Sequence, residues 1–199
     1  RSKRSAIQGV GHADLIQRAD GSWWAVCLGV RPNGYPPCYH LGRETFLVPV
    51  RWNADEWPVF GNNGMVPESH EIDAPCSQTF PGTEGRDDFN GSALALSWVF
   101  LRNPIETAYS LTARPGWLSL RGSAETLNGS GSPVFIGRRQ QHFVCRVSTL
   151  LDFCARRDGD EAGITVFMNE RHHYEIARTR IKGKDLVIVR RRIGDLQAL

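Results

Sequence analysis

A histidine and an arginine that each follow a glycine are the side chains of this sequence best suited to chemistry. They are His12 and Arg43. A preceding glycine lets the backbone approach another group closely, an imidazole can hold a metal or an oriented water, and a guanidinium offers planar donors to sugar hydroxyls or a carboxylate. The residues alone leave two alternatives open: a satisfied buried histidine, and a salt bridge from Arg43 to Glu44 or Asp14.

A pair of carboxylic acids could hydrolyse a glycosidic bond, with one protonating the leaving oxygen and the other activating water or attacking carbon. Asp14 and Glu44 are the candidates close to His12 and Arg43 in the sequence. Asp14 lies near a strand start and is better suited to cap a turn, and Glu44 could pair with Arg43. We therefore predict that this chain contains no catalytic residue.

Two further polar clusters lie in the second half of the chain. Residues 169–175 include His172 and His173, which on a strand point to opposite faces and cannot easily share one ion. We interpret this cluster as the polar rim of a hairpin. Residues 138–143 combine basic, amide and aromatic groups, which suit sugar binding or a domain interface, and we favour the interface.

Residues 87–91 place two aspartates and an asparagine in one turn. Their oxygens would suit calcium, but the stretch lacks the full pattern of a calcium-binding loop, and we favour simple turn formation. Cys38 and Cys76 lie in loop-like sequence and form the predicted disulfide. Two glycosylation sequons, at Asn90 and Asn128, favour an extracellular location over a cytoplasmic one.

Composition excludes some function classes. The 199 residues are 41% hydrophobic and carry a net charge of +3, which gives no reason to expect a nucleic-acid partner. No apolar stretch reaches the roughly 18 residues that a membrane helix needs. The basic run at positions 190–192 follows an apolar run, and we predict a strand that ends in a solvated charged edge.

Short apolar runs separated by turn residues fill the chain, and no window has a sustained helical period. This pattern predicts an all-β protein. The predicted strands are residues 23–28, 45–50, 95–100, 117–121, 143–150, 163–168, 174–178 and 186–189. Pro49 should place its strand at a sheet edge or a strand end. We predict two units: residues 1–70, with about four strands like one propeller blade, and residues 71–199, an antiparallel β-sandwich.

Several motifs, in order along nearly the whole chain, resemble glycoside hydrolase family 43 in its β-xylosidase/α-L-arabinofuranosidase branch. GVGHADL (9–15), GSWWAV (21–26), LGVRP (28–32) and HLGRETF (40–46) resemble the last blade of the family's five-bladed propeller. FLRNP (100–104), RPGWL (114–118), RRQQHF (138–143) and the stretch 161–171 resemble the concanavalin-like or jelly-roll-like β-sandwich that follows it.

The resemblance implies inverting hydrolysis of xylose or arabinose units from xylan-type oligosaccharides. It implies that His12 lies on the propeller axis near a hydrated metal, often calcium, below the sugar pocket, and that Arg43 reaches the bound sugar. His12 is accordingly the predicted metal residue, and both are predicted substrate-binding residues. The family's catalytic base, general acid and acid-tuning aspartate come from earlier blades.

The chain is therefore expected to be a C-terminal fragment, with an incomplete sandwich, that does not catalyse by itself. The alternative is a standalone secreted protein, carbohydrate-binding or antigen-like, derived from such an enzyme. Strand edges left open by absent blades predict self-association.

Overall fold

The computed structural model describes residues 5–71 and 85–199 of the chain. These residues fall into two compact units, one comprising residues 5–71 with 140–145 and the other comprising residues 85–139 with 146–199. The described part is built from strands, with one 3₁₀ turn at Glu106–Ala108, so the all-β prediction is confirmed. None of its helices is long and apolar enough to cross a membrane.

The first unit contains one antiparallel sheet of four strands in the order β1-β2-β3-β4. The strands are β1 (Gln8–Gln17), β2 (Trp23–Val30), β3 (Glu44–Trp52) and β4 (Pro58–Phe60). Side chains alternate between the two faces along each strand. Ala25 and Cys27 of β2 and Val48 and Val50 of β3 are all buried on one face, together with Ile7. This apolar face forms the core of the unit.

Pro49 lies within β3, an inner strand by the order of the sheet, but β3 is a local edge at this residue on the side away from β2, as the sequence predicts. It pairs with Trp24, next to the terminal pair of the β2–β3 ladder, while β4 pairs with β3 only from Val50 onward. The Pro49 carbonyl accepts a hydrogen bond from the Gly61 N–H at 2.8 Å. Because β4 has ended at that point, the N–H that proline lacks is not needed for the ladder.

The second unit contains a larger antiparallel sheet in the order β12-β11-β10-β9, and two short ladders, β5-β8 and β6-β7. The strands are β5 (Val99–Phe100), β6 (Tyr109–Ser110), β7 (Ser119–Leu120), β8 (Ile136–Gly137), β9 (Glu161–Asn169), β10 (His172–Ile181), β11 (Lys184–Ile193) and β12 (Leu196–Ala198). Lys182 and Gly183, both with positive φ, form the two-residue turn between β10 and β11, as type I′ hairpins require.

The two faces of the β9–β12 sheet differ in exposure. His173, Ala177, Thr179 and Ile188 are buried on one face. The opposite face carries large apolar side chains that are half exposed or more: Val166, Met168, Tyr174, Ile176, Val187 and Val189. The sheet of the second unit therefore has one buried face and one face open to solvent.

Several predicted strands are shorter than expected or absent. Of residues 95–100 and 117–121, only β5 and β7 are strand. Residues 143–150 belong to no strand. The chain passes from the first unit to the second between Cys145 and Arg146, and the apolar side chains of Val144 and Leu150 are 89% and 79% exposed. Alternation predicts a strand only where one face is buried, and here neither is.

The basic run at positions 190–192 is not the solvated charged edge that the sequence predicts. Arg190 is mostly buried and forms ion pairs with Glu161 at 2.9 Å and Glu175 at 2.7 Å. Arg192 donates a hydrogen bond to Asn128 at 2.6 Å, and Arg191 is exposed. Only Arg191 therefore fits a solvated charged edge, because Arg190 points to the same face as Glu175, its direct partner in the β10–β11 ladder.

Candidate functional site

A distorted stretch of β1 holds His12. The β1–β2 pairing shifts register between Gln8 and Gly11 and again between Gly11 and Asp14. His12 lies within the second shift with φ 54°, a left-handed conformation that is uncommon outside glycine. Bulges of this kind re-aim side chains and are frequent beside binding sites. His12 is exposed, which excludes the buried-histidine alternative.

Arg43 lies immediately before β3. The preceding Gly42 has φ 72°, and its N–H donates to the Tyr39 carbonyl at 2.9 Å, which closes a turn. Arg43 is exposed, and within the described residues no hydrogen bond or ion pair holds its guanidinium. The alternative of a salt bridge to Glu44 or Asp14 is therefore not what the structure shows, and the donors of Arg43 are available to a ligand.

Glu44 is bound by a different arginine. Arg31 Nε donates to Glu44 Oε2 and Arg31 Nη2 donates to Oε1, both at 2.8 Å, in a bidentate pair. The hydrogen bonds from Arg31 lower the pKa of Glu44 from its ordinary value, against an opposing effect of burial. The same contact raises the pKa of Arg31. Glu44 is thus a carboxylate stabilised in its ionised form and is poorly suited to donate a proton.

Asp14 and Glu44 lie on opposite faces of the sheet. Asp14 pairs with Val26, which pairs with Leu47, so these three share one face. Glu44 is three residues from Leu47 along β3 and therefore points to the other face. Standard strand spacings put the two Cα atoms about 14 Å apart. An inverting pair needs carboxyl groups roughly 6.5–9.5 Å apart across one pocket, and this pair does not provide them.

His12 and Arg43 lie at the same end of the sheet. Gly11 pairs with Leu28, which pairs with Thr45. His12 directly follows the first residue of this row, and Arg43 lies two residues before the last. Strand geometry puts their Cα atoms about 14 Å apart. Both predicted binding residues therefore lie in the part of the sheet where β2 ends and β3 begins, which we call the bulge end.

Residues 140–145 belong to the first unit and supply a ring near the bulge end. Arg31 Cζ lies 5.0 Å from the centroid of the Phe143 ring, and the His40 ring meets Phe143 edge-on, with centroids 5.5 Å apart. The predicted cluster 138–143 is divided, since Arg138 belongs to the second unit. Sequence reasoning missed Arg31, although the β2–β3 hairpin register could have indicated its pairing with Glu44.

In the turn at residues 87–91, the carboxylate oxygens of both aspartates accept hydrogen bonds from other groups of the chain. Asp87 accepts hydrogen bonds from Trp98 Nε1 at 2.7 Å and from the Phe89 N–H at 2.8 Å. These bonds, that from Trp98 foremost, lower the pKa of Asp87. Asp88 binds the Arg86 guanidinium. The favoured interpretation as a turn agrees with these contacts.

No ready-made metal cluster accompanies His12 in the described structure. Within residues 5–71 and 85–199, no three His, Cys, Asp or Glu side chains lie close enough together to hold a metal ion. Calcium prefers six to eight oxygen ligands, and His12 offers a single imidazole. The described residues therefore do not fit a complete calcium site. The predicted partner of Cys38, Cys76, lies outside the described residues.

The two adjacent histidines of β10 point to opposite faces, as predicted. His172 is exposed, whereas His173 is 1% exposed. His173 Nδ1 lies 3.1 Å from the Asn169 carbonyl oxygen, and Nε2 lies 3.0 Å from a Glu175 carboxylate oxygen without being aligned for a hydrogen bond. The rim interpretation is wrong for His173, because the sheet buries that face.

Comparison with known proteins adds to this geometry. The family model "Glycosyl hydrolases family 43" matches residues 1–58. The family model "Beta xylosidase C-terminal Concanavalin A-like domain" matches residues 86–198. The two matches fall on the first and second halves of the chain, which carry the four-stranded sheet and the β9–β12 sheet respectively.

Curated relatives and solved structures point the same way. The chain is 43% identical over 190 residues to the "Non-reducing end alpha-L-arabinofuranosidase BoGH43B" of Bacteroides ovatus, over 95% of this chain and 36% of that protein. It is 35% identical over 179 residues to a "Xylosidase/arabinosidase" of Butyrivibrio fibrisolvens, over 88% and 34%. The GH43 BlXynB structure from Bacillus licheniformis has a TM-score of 0.85 at 29% identity, over 99% and 38%. The chain spans about a third of the length of these relatives.

Proposed function

Because the chain belongs to glycoside hydrolase family 43 and includes the concanavalin A-like domain of β-xylosidases, we propose that it serves an enzyme that removes xylose or arabinose units from xylan-type oligosaccharides. Its part is to bind the sugar at the bulge end of the first sheet. Two relatives named as an arabinofuranosidase and a xylosidase/arabinosidase support this substrate class.

The proposal depends on the exposure of Arg43 and on its having no hydrogen bond or ion pair within the described residues. Arg43 is exposed at the bulge end, while its neighbour Glu44 already holds a bidentate partner in Arg31. An arginine presents five N–H donors in a rigid fork, and sugar hydroxyls accept such donors. His12, in its left-handed bulge, is proposed to contact the sugar or to hold a water of a hydrated ion beneath it.

We further propose that the chain binds sugar without hydrolysing it. Glycosidic hydrolysis needs an acid and a second carboxylate at one pocket. Asp14 and Glu44 point to opposite faces of the sheet, and Arg31 keeps Glu44 ionised. Neither of these carboxyl groups can therefore complete a working pair with the other.

The test is an NMR titration of the chain with xylobiose and with methyl α-L-arabinofuranoside, combined with a turnover assay on chromogenic xyloside and arabinofuranoside. We expect binding without turnover. Arg43→Ala should weaken binding about tenfold or more, because hydrogen bonds from a charged donor contribute roughly 1.5–3 kcal/mol.

Arg51→Ala is the matched control, since Arg51 is exposed near the end of β3 opposite to Arg43. Its sugar affinity should equal that of the unaltered chain. Absence of binding, or equal losses in both variants, would contradict the sugar-binding role of Arg43. Turnover that Arg43→Ala abolishes would contradict the non-catalytic part, and Asp14→Asn and Glu44→Gln would then be assayed.

A standalone carbohydrate-binding role has one observation in its favour. The second unit has a shallow pocket of about 300 Å³ whose lining alternates hydroxyl and leucine side chains: Ser92, Leu94, Tyr109, Ser110, Leu111, Thr112 and Leu118. The same titration separates the two candidates. Chemical-shift changes confined to this pocket would favour a binding module, whereas changes at residues 12 and 43 favour the main proposal.

Self-association through strand edges is a further part of the proposal. β9 is an edge strand of its sheet, and its outward side chains Val166 and Met168 are 63% and 77% exposed. Unpaired edges with apolar side chains favour pairing with another copy of the same strand. Light scattering should give a mass that rises with concentration, and Val166→Lys should restore the monomer mass. A concentration-independent monomer would refute this part.

Calcium and cellular location stay predictions. Because no three His, Cys, Asp or Glu side chains lie together around His12 within the described residues, we expect calcium to bind the isolated chain too weakly to raise its Tm. An extracellular location is supported by the exposed sequon asparagines Asn90 and Asn128, and glycosidase digestion of the naturally produced protein would test it by a mass shift.

A further inference from the structure

Phe143 contacts the bulge end from a distant part of the sequence. It lies in the segment 140–145, which belongs to the first unit although the residues on both sides of it belong to the second. Phe143 lies against two residues of the β2–β3 connection, Arg31 at 5.0 Å and His40 at 5.5 Å. These contacts do not involve Arg43 itself.

The guanidinium group of Arg31 has two contacts, one with Glu44 and one with Phe143. Its donors Nε and Nη2 bind both oxygens of Glu44, and its Cζ lies 5.0 Å from the centroid of the Phe143 ring. In-plane hydrogen bonds and face stacking are compatible on a planar guanidinium. The side chains of Arg31 and Glu44 are only about a third exposed.

The pair lies at the start of β3, where Glu44 also pairs with Gly29 in the β2–β3 ladder. Glu44 is the first residue of that strand and follows Arg43 directly. Between residues 31 and 43, backbone hydrogen bonds join Asn33 and Cys38 in both directions, at 2.9 and 2.8 Å, and a further one closes the Gly42 turn. The Arg31–Glu44 pair is therefore the side-chain link that ties this connection to the residue beside Arg43.

We propose that Phe143 is a positioning residue for sugar binding, which acts through Arg31 and Glu44 to hold the Arg43 backbone in place. The sugar affinity of the bulge end then depends on a ring from the segment that joins the two halves of the second unit's sequence. This inference rests on the proposed sugar-binding role of Arg43.

The test measures hydrogen exchange at Arg31 Nε–H by NMR in three variants of the whole chain. Phe143→Leu keeps an apolar side chain but removes the ring, and we expect exchange to accelerate about two- to fivefold, the range of a partly exposed cation–π contact. Phe143→Tyr keeps the ring and should restore the slow exchange. Val144→Ala, at a neighbour that is 89% exposed, should change nothing.

Xylobiose affinity provides the second readout. Phe143→Leu should weaken binding about two- to fivefold by the same reasoning, whereas in an Arg31→Met background it should have no further effect. Residues that act through one another are non-additive in such a cycle. A merely structural role would reduce affinity equally in both backgrounds.

Each outcome decides one question. Unchanged Arg31 Nε–H exchange in Phe143→Leu would overturn the inference, whatever happens to the sugar. Accelerated exchange with rescue by Phe143→Tyr and a non-additive cycle would support it. If the unaltered chain binds no xylobiose, the proposed function fails, and the exchange measurement still decides whether Phe143 secures the Arg31–Glu44 pair.

Discussion

Asp87 is a carboxylate whose charge contributes to the second unit. Its two acceptor bonds, from Trp98 and from the Phe89 backbone, lower its pKa. The Arg138 guanidinium lies 3.6 Å from the same carboxylate and 4.4 Å from the Trp98 ring centroid. A carboxylate that stabilises three neighbours in its ionised form makes the unit sensitive to acid.

We predict that Asp87→Asn lowers the free energy of unfolding by about 1 kcal/mol at neutral pH, a usual net value for one weakened hydrogen bond. A lowered pKa stabilises the folded state above the unfolded value of about 3.9, and this stabilisation is lost as the pH falls through the folded value. The difference between the variant and the unaltered chain should therefore close below about pH 4.

Urea unfolding of both proteins between acid and neutral pH measures this difference. Asp88→Asn is the control, because its partner Arg86 is exposed and exposed ion pairs contribute little. A gap between Asp87→Asn and the unaltered chain that stays constant into the acid range would show that the charge of Asp87 is not the cause.

Individual residues show how much of the candidate site could be predicted from the sequence. Arg43 and His12 were found because glycines precede them and because their motifs resemble a known family. The exposure of both side chains, and the pairing of Glu44 with Arg31, depend on the β2–β3 register and on the bulge in β1. Asn, Asp and Gly patterns do not specify where a bulge falls, so the left-handed conformation of His12 could not be predicted.

At the scale of strands, Gly163 shows how closely β9 and β10 approach. A Cβ at this position would lie 2.0 Å from the Ile176 carbonyl oxygen and 2.6 Å from the Ala177 Cα. Both are backbone atoms of the paired strand, so no side chain can move aside. The β9–β10 ladder, which passes through Gly163 opposite Ala177, therefore requires glycine here.

We expect Gly163→Ala to destabilise the second unit by about 2 kcal/mol or more, comparable with overpacking of a core. Thermal unfolding should show a lowered Tm, and amide exchange should accelerate in β9 and β10. Gly122→Ala is the matched control, since a Cβ there would meet no atom within 4 Å. Equal Tm values for the two variants would refute the close approach.

The strands also show which sequence signals were reliable. The hairpin of β10 and β11 was predictable, because strand-like apolar stretches lie on both sides of a Lys-Gly turn. Residues 143–150 alternate as well, but part of that stretch folds with the first unit and part with the second. Periodicity within a window carries no information about the unit to which each residue belongs, which is why that prediction failed.

At the scale of the whole molecule, the two units have separate cores. Within the described residues, the cluster around Val48, which is 1% exposed, lies entirely in the first unit. The buried residues of β10 and β11 lie in the second. A cavity made in one core should therefore have its main effect on the strands of that unit.

We predict that Val48→Ala costs roughly 2 kcal/mol, near the lower end of truncations to alanine in a core. Amide exchange should accelerate across β1 to β4 and remain unchanged in β9 to β11. Ala177→Gly, at a buried position of the other sheet, is the reciprocal variant and should show the opposite pattern. Uniform acceleration in both sheets would mean that the units unfold as one.

The turn of Lys182 and Gly183 has a consequence for the order of folding. It joins two ten-residue strands through a two-residue connection, so their ladder can form with almost no loss of chain entropy. Hairpins of this kind close in about 1–10 μs. We expect β10 and β11 to form first and β9 to pair with β10 next, across another short turn. The short ladders within residues 99–137 should form later, after this three-stranded sheet.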